Sequence, residues 1–333
     1  MAVEPSLLTP SSDRAVRNRS TRIWFVVRLV FVVSIAIFIA SKIDLAALWR
    51  QVQQLNIALV MLGFGVTMLA MVIAAARWKI LADGVAPGTS LISLVAFNLV
   101  GLFYSQFLPG SISGDVVKGA YLARSHHDKA GIISSALMER FIGTASNGMI
   151  GVVVLLTNTV LLHALGVTTN MVLILLVLTL IGLPVGYALF RFIGRWQHRF
   201  PAALASAYQT ITVYLKQPLV IAKVVMVSVV FFVVWTLAIW CLAHAAGLDL
   251  DFQTALLILA AVNFAQVIPI SLNGWGVRES ALIVLLAAYG ITSEKALLLS
   301  LLIAAVGMSI SLLGGVLVLI DYRDKRSTIS TME

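Results

Sequence analysis

Long apolar runs are the feature that most constrains what this chain can fold into. The sequence has nine of them, and short polar segments separate them. The runs are Ile23–Ala40, Ile57–Ala76, Leu91–Leu108, Phe141–Leu162, Met171–Phe190, Leu219–Ala246, Thr254–Ile270, Ala281–Ile291 and Ala296–Ile320. A helix needs roughly 20 apolar residues to cross a bilayer, and continuous apolar runs indicate helices. The sequence therefore predicts an all-α, polytopic helical membrane protein.

The composition excludes a water-soluble domain. Hydrophobic residues make up 60% of the chain and charged residues 11%, whereas soluble domains contain about a quarter charged residues. The mean hydropathy is +1.02. The net charge of +9 does not indicate a nucleic-acid partner, because the basic residues lie in short segments beside apolar runs, where membrane orientation explains them.

Cysteine and histidine usage gives no sign of a metal centre or a disulfide. The one cysteine, Cys241, lies in an apolar run. Of the five histidines only His126 and His127 are neighbours, and no carboxylate or third imidazole stands at ligand spacing. We therefore expect no metal and no cofactor.

A proline-containing motif occurs twice, at the ends of two apolar runs. Residues 109–114 read PGSISG, and residues 269–274, in the second half of the chain, read PISLNG. Repeated segments that Gly and Pro interrupt are typical of transporters, in which broken helices line a cavity. The alternative is a pair of interfacial loops made of ordinary turn residues. The candidate turn residues are Pro109, Gly110, Gly114, Pro269, Gly274 and Gly276.

The distribution of basic residues predicts the orientation of the chain. If residues 91–124 and 254–291 each dip into the membrane and return on the same side, 18 of the 23 Lys and Arg lie on the amino-terminal side. Four then lie opposite, and Arg28 lies within the first span. This is a clear positive-inside pattern. A full crossing by Leu91–Leu108 would instead place a basic block from Arg191 to Lys223 outside.

This orientation makes the two broken segments an inverted pair, because three full crossings separate them. The prediction is about eight membrane segments, made of six full crossings and two inverted re-entrant broken-helix hairpins. Both termini are then cytoplasmic. The expected domains are a basic cytoplasmic tail at 1–22, one transmembrane helical domain at 23–320 and a cytoplasmic tail at 321–333.

Polar residues of the first motif segment are candidates for substrate binding. Asp115 and Lys118 lie three residues apart at the start of an expected helix, which Ser111 or Ser113 would cap. Exposed amides at a helix start bind phosphate, although Asp115 would compete for the same positive end. The alternative is a capped interfacial helix with an ordinary ion pair.

Glu139 and Arg140 are further candidates, at the start of the next apolar run. Ser135, Gly143 and Asn147 stand at helical spacing from Glu139. A stripe of small and polar residues on one helix face suits a cavity wall or close helix packing, and both interpretations stay open.

In the second motif segment the candidates are Asn273, Arg278 and Glu279. Arg278 and Glu279 follow a Gly-Trp-Gly break on the face where positive charge is scarce. Charges inside a membrane are costly and tend to be functional, and an arginine grips phosphate through two contacts. The alternative is a local Arg-Glu pair at the membrane interface.

These segments resemble the membrane domain of lysylphosphatidylglycerol synthases and its stand-alone, flippase-like relatives. The resemblance covers most of residues 55–320, and its most specific parts are PGSISGD, the Glu139-Arg140 pair and PISLNGWGVRE. It implies moving or presenting aminoacylated phospholipids, or a role in hopanoid, glycolipid or polyprenyl-linked pathways. The soluble aminoacyl-transfer domain is not expected, because the chain ends at Glu333 soon after its last apolar run.

The function predicted is translocation or presentation of a phospholipid or lipid-linked substrate across the cytoplasmic (inner) membrane. The expected partners are membrane lipids with an anionic or lipid-linked headgroup, together with a lipid-modifying enzyme. One alternative is a membrane enzyme, or enzyme subunit, that transfers a group onto a lipid carrier, with Asp115, Glu139 or Glu279 as acid or base. Another is a scaffold for envelope-lipid synthesis. No nucleophile with its base and no nucleotide-binding loop occurs, so no catalytic residue is assigned.

Overall fold

The computed structural model describes residues 45–108, 112–157, 202–267 and 276–330, with short pieces at 188, 191–192 and 194–195. These residues contain ten α-helices and no strand. The helices are α1 (Leu45–Gln53), α2 (Ile57–Ala82), α3 (Leu91–Ser105), α4 (Ser113–Ala123), α5 (Lys129–Thr157), α6 (Ala202–Leu215), α7 (Pro218–Ala245), α8 (Phe252–Val267), α9 (Val277–Ala287) and α10 (Ser293–Ser330). The all-α prediction is confirmed for this part of the chain. The run Ile23–Ala40, and all but residue 188 of Met171–Phe190, lie outside the described residues.

Among the described residues, three helices are long and apolar enough to cross a membrane: α2, α7 and the Ser293–Asp321 part of α10. Their lengths of 26, 28 and 29 residues correspond to about 40 Å each, which exceeds the roughly 30 Å hydrocarbon core. Local signals set where two helices begin. The Asn56 side chain accepts from the Leu59 amide and caps α2, and Pro218 is the first residue of α7, where its missing N–H costs no hydrogen bond.

Two pairs of shorter helices flank the motifs. The pair α3 and α4 has 15 and 11 residues, and the pair α8 and α9 has 16 and 11 residues. At 1.5 Å per residue, none exceeds about 24 Å, so none spans a 30 Å core alone. The helical path is interrupted between α3 and α4, where residues 106–108 and 112 are not helical, and directly before α9, where Gly276 is not helical. Pro109, Gly110, Ser111, Pro269, Asn273 and Gly274 lie outside the described residues.

The two halves of the chain repeat one order of elements. Long, short, short and long helices follow one another in each half, as α2 to α5 and again as α7 to α10, and matching helices begin at a nearly constant separation in the sequence. The contacts repeat as well: α3 packs on α10 as α8 packs on α5, and α1 packs on α10 as α6 packs on α5. The repeat that the motif indicated therefore extends over five helices in each half.

Counterpart helices α2 and α7 lie side by side and run antiparallel. The Asn56 amide at the start of α2 donates to the Ala245 carbonyl at the end of α7, over 3.1 Å. Nearer the end of α2, Arg77 lies beside Ser228, which precedes Ala245 in α7, with Nη1 3.5 Å from Oγ. Repeats whose matching helices point in opposite directions are related by an axis perpendicular to those helices.

Glycines bring α3 into backbone contact with two neighbours. Gly101 on α3 and Gly114 on α4 face each other, so that a Cβ on either would lie 2.6 Å from the carbonyl oxygen of the other. A Cβ at Gly314 on α10 would overlap the Leu99 carbonyl. Gly114, a candidate turn residue, is thus the second residue of α4 and part of a helix contact. Gly276 does lie outside a helix, with φ +83°, directly before α9.

Candidate functional site

Five charged side chains from three helices form one connected network, the α4 charge network. It contains Arg77 on α2, Asp115 and Lys118 on α4, and Glu139 and Arg140 on α5. Four of these residues were candidates from the sequence, and the structure brings them together through α4 and α5 packing. The fifth, Arg77, was not a candidate.

Glu139 is the centre of the network. Its Oε1 accepts from Arg77, and its Oε2 accepts from the Lys118 ammonium over 2.7 Å. The Glu139 side chain is 2% exposed, and those of Arg77 and Lys118 are 9% and 8% exposed. Removing charges from water is expensive, and such a group persists only when each charge has a partner of opposite sign.

Asp115 connects this buried centre to a more accessible edge. Its Oδ1 lies 3.1 Å from the Lys118 ammonium, and its Oδ2 accepts from Arg140 Nη1 over 3.0 Å. The Arg140 side chain is 41% exposed, against 12% for Asp115. The Asp115–Lys118 ion pair expected from their spacing therefore forms, and each partner also binds a residue of α5.

The predicted serine cap of α4 is wrong for Ser113. Helix α4 begins at Ser113, and its N-cap residue, Ile112, makes no side-chain capping hydrogen bond. The Ser113 hydroxyl instead lies 3.5 Å from the Leu108 carbonyl oxygen. Ser113 is itself helical, and a capping side chain must come from the residue before the first helical one. Ser111 lies outside the described residues.

The small residues around Glu139 make room for side chains of α2. A Cβ at Gly143 would lie 2.7 Å from Arg77 Nη1, so the glycine leaves the space that the guanidinium fills. Ser135 accepts from the Trp78 indole N–H over 3.1 Å, and the Lys118 ammonium lies 5.0 Å from the centroid of the Trp78 ring. The stripe on α5 is thus a packing surface for Arg77 and Trp78.

Arg77 is the residue that sequence reasoning missed. In the sequence, Arg77-Trp78-Lys79 is an aromatic and basic combination of the kind that lies at the lipid headgroups, but Arg77 is 7% and Trp78 0% exposed. Only Lys79 of the three fits that interpretation, because it forms a partly exposed ion pair with Asp83. The available signal was an arginine that directly follows a run of three alanines, residues 74–76, and that has Glu139 as a candidate counterion.

A second cluster surrounds the start of α9. Glu279 Oε2 accepts from the Gly276 amide over 2.6 Å, and Oε1 accepts from Arg278 over 2.7 Å and from the Ser300 hydroxyl over 3.0 Å. Arg278 Nε also donates to Ser300 on α10 over 3.0 Å. Glu279 is 5% exposed. The local Arg278–Glu279 pair therefore exists, and it joins α9 to α10.

The two clusters occupy corresponding places in the repeat. Asp115 and Glu279 are each the third residue of their helix, α4 and α9. Each carboxylate is linked to the long helix that follows, Asp115 through Arg140 on α5 and Glu279 through Ser300 on α10. The structure does not join the clusters into one site within the described residues.

An open pocket of about 940 Å³ lies apart from both clusters, between α6 and residues 188–195. Its described lining includes three cations, Arg191, Arg195 and Lys216, and no carboxylate. Such a lining attracts anions. For metals, the described residues contain no group of three or more His, Cys, Asp or Glu side chains that could hold an ion.

Comparison with known protein families identifies a match over most of the chain. A family model described as the lysylphosphatidylglycerol synthase TM region matches residues 25–315. No curated protein matches the chain, and no solved structure does. The matched range includes both clusters and all ten described helices except the end of α10.

Proposed function

The chain belongs to the family of the lysylphosphatidylglycerol synthase TM region, and on this premise we propose that it is a flippase-like protein. It translocates or presents a phospholipid or lipid-linked substrate across the cytoplasmic (inner) membrane. The observation that carries the proposal is the α4 charge network, in which five charged side chains meet inside an apolar helical bundle beside a helix break.

The free-energy cost of placing these charges within the membrane supports a functional role for the network. A charged side chain at the bilayer centre costs at least about 2.5 to 3.5 kcal/mol on insertion scales, and intramembrane charges mark substrate pathways. A lipid headgroup faces the same difficulty when it crosses hydrocarbon, and fixed polar groups reduce that cost. Lys118 and Arg140 are suited to hold a headgroup phosphate, because both donate to a single carboxylate already.

In the proposed arrangement, α3 with α4 and α8 with α9 are re-entrant hairpins that enter from opposite faces. Three features support it: the helix breaks, the shortness of the four helices, and the antiparallel course of α2 and α7. The residues proposed to form the substrate site are Ser111, Asp115, Lys118, Glu139, Arg140, Asn273, Arg278 and Glu279. Asp115 and Glu139 serve in this proposal to hold the cations in place. Both termini are proposed to be cytoplasmic, since most Lys and Arg then lie inside.

The basic pocket between α6 and residues 188–195 fits this orientation. Its three cations, Arg191, Arg195 and Lys216, lie on the proposed cytoplasmic side. Anionic lipids of that leaflet attract Lys and Arg near the surface by about 1 kcal/mol each. The pocket would thus hold the protein against anionic lipid before the headgroup reaches α4.

Lipid translocation by the purified protein tests the proposal. The protein is reconstituted into liposomes that contain a trace of fluorescent phosphatidylglycerol in both leaflets, and a membrane-impermeant reductant bleaches the outer leaflet. Translocation predicts bleaching beyond the half that empty liposomes show. The matched variants are Glu139→Gln, which breaks the buried network, and Asp83→Asn, which removes a surface carboxylate with the same loss of charge. No bleaching beyond one half would end the proposal of translocation and leave presentation of the lipid, the enzyme-subunit function or the scaffold function.

A further inference from the structure

We propose that the Asp115 carboxylate occupies the place of the substrate's phosphate, so that an anionic phosphodiester headgroup binds Arg140 and Lys118 by displacing it. This inference rests on the proposed function and adds to it a substrate class and the step by which the headgroup binds. It concerns the exchange of one anion for another on the same two cations.

The charges of the network, as the described residues form it, do not balance. It contains three cations, Arg77, Lys118 and Arg140, and two carboxylates, Asp115 and Glu139, which leaves one positive charge in excess. Glu139 and Arg77 are both buried and directly bonded, and Arg77 has no other carboxylate partner among the described ion pairs, so their charges compensate each other. The excess therefore lies towards Asp115, Lys118 and Arg140.

The geometry of Asp115 is that of a bridging anion. One carboxylate oxygen lies 3.1 Å from the Lys118 ammonium and the other 3.0 Å from Arg140 Nη1. A phosphodiester likewise has one negative charge shared by two unesterified oxygens. It can therefore make the same two contacts, and a guanidinium binds phosphate as well as carboxylate.

Access is possible from the Arg140 side. The Arg140 side chain is 41% exposed, whereas Lys118 is 8% exposed and lies behind Asp115. An incoming anion therefore meets Arg140 first and then competes with Asp115 for Lys118. The start of α4, where the N-cap residue Ile112 provides no side-chain cap, adds a positive potential at the same place.

Glu279, the corresponding carboxylate of the second cluster, is not displaced by an incoming anion in the same way. Glu279 accepts from the backbone amide of Gly276 and from Ser300 as well as from Arg278, so its displacement would uncap α9. Within the described chain, the Asp115 carboxylate bonds only to cations. An incoming phosphate can bind the same cations in its place. The displaceable anion is therefore Asp115.

Equilibrium binding to the purified full chain in detergent tests the exchange. The probes are dihexanoyl phosphatidylglycerol, dihexanoyl phosphatidylcholine and inorganic phosphate, and affinity is obtained from the rise of the unfolding temperature with probe concentration. Asp115→Asn removes the internal competitor, so it should bind phosphatidylglycerol about tenfold more tightly than the wild type. Asp83→Asn, the matched control, should bind like the wild type. Arg140→Gln should weaken phosphatidylglycerol binding both in the wild-type protein and in the Asp115→Asn protein.

An Asp115→Asn protein with unchanged or weaker affinity for phosphatidylglycerol overturns the inference. An equal gain for phosphatidylcholine, whose phosphodiester has the same two unesterified oxygens, supports the exchange and overturns the restriction to headgroups with a net negative charge. A gain with inorganic phosphate as large as that with phosphatidylglycerol supports the exchange and assigns the site to phosphate as such, whereas a gain confined to phosphatidylglycerol assigns it to the lipid. If Asp115→Asn does not fold, the test uses Arg140→Gln alone. Wild-type-like binding of phosphatidylglycerol by that variant would exclude a contact between Arg140 and the phosphate. Failure of the proposed function is recognised separately, as absence of translocation by the wild type in liposomes.

Discussion

Arg77 on α2 and Glu139 on α5, far apart in the chain, form a buried ion pair in the described part of the bundle. The pair joins the first long apolar helix of that part to the long helix that follows α3 and α4. Its energetics differ from those of a surface pair, because removal of one partner leaves a charge with neither water nor a counterion.

Breaking this pair should destabilise the protein strongly. We expect Glu139→Gln to lower the free energy of unfolding by about 3 to 5 kcal/mol, because it removes the carboxylate partner of the buried Arg77 and leaves Lys118 with Asp115 alone. Asp83→Asn, which removes a partner of the partly exposed Lys79, should cost less than about 1 kcal/mol. Denaturant titration in mixed micelles measures both. Equal losses for the two variants would contradict a structural role for the buried pair.

The contact between Gly101 and Gly114 should not tolerate a methyl group. A Cβ at either position would lie 2.6 Å from a backbone oxygen, so Gly101→Ala and Gly114→Ala should each lose about 1 to 3 kcal/mol as α3 and α4 separate. Gly114→Leu should abolish translocation while the protein still inserts into the membrane.

Gly65 on α2 provides the control for these variants. A Cβ there would meet nothing within 4 Å, so Gly65→Ala should leave stability unchanged or raise it by up to about 1 kcal/mol, since alanine favours a helix. Thermal unfolding and liposome translocation are measured on all four proteins. A stable, active Gly114→Leu protein would show that α3 and α4 need not pack this closely.

Arg278 and Glu279 should contribute differently to stability, because Glu279 also caps α9 through the Gly276 amide. Arg278→Ala should reduce translocation and destabilise the protein, because Glu279 then loses a charged partner. The double variant Arg278→Ala with Glu279→Ala should recover only part of that stability, because it also removes the acceptor of the Gly276 amide. That lost cap costs about 1 kcal/mol. Normal translocation by the double variant would assign the pair to structure alone.

Cysteine labelling tests the proposed orientation. The native Cys241 is 1% exposed, so an impermeant thiol reagent should give little background. In intact cells Asp249→Cys, at a side chain that is fully exposed beside His244, should react. Lys325→Cys and Arg195→Cys should react only after the membrane is opened. Labelling of Arg195→Cys from outside would refute the inverted arrangement.

The sequence by itself determined the class of this protein and the plan of its helices. Apolar runs of sufficient length predict helices in lipid regardless of what they pack against, and α2, α7 and α10 follow them. The repeated Gly and Pro residues predicted breaks between α3 and α4 and between α8 and α9, because those residues act on the local backbone.

Only the tertiary structure decided which charges meet. The spacing of Asp115 and Lys118 was sufficient for their pair, since residues three apart share one helix face. The partnership of Arg77 with Glu139, and that of Arg140 with Asp115, depends on how α2, α4 and α5 rotate and cross. Those crossings are set by packing at positions such as Gly143, Gly101 and Gly114, where the absence of a side chain matters only once a neighbouring helix is present.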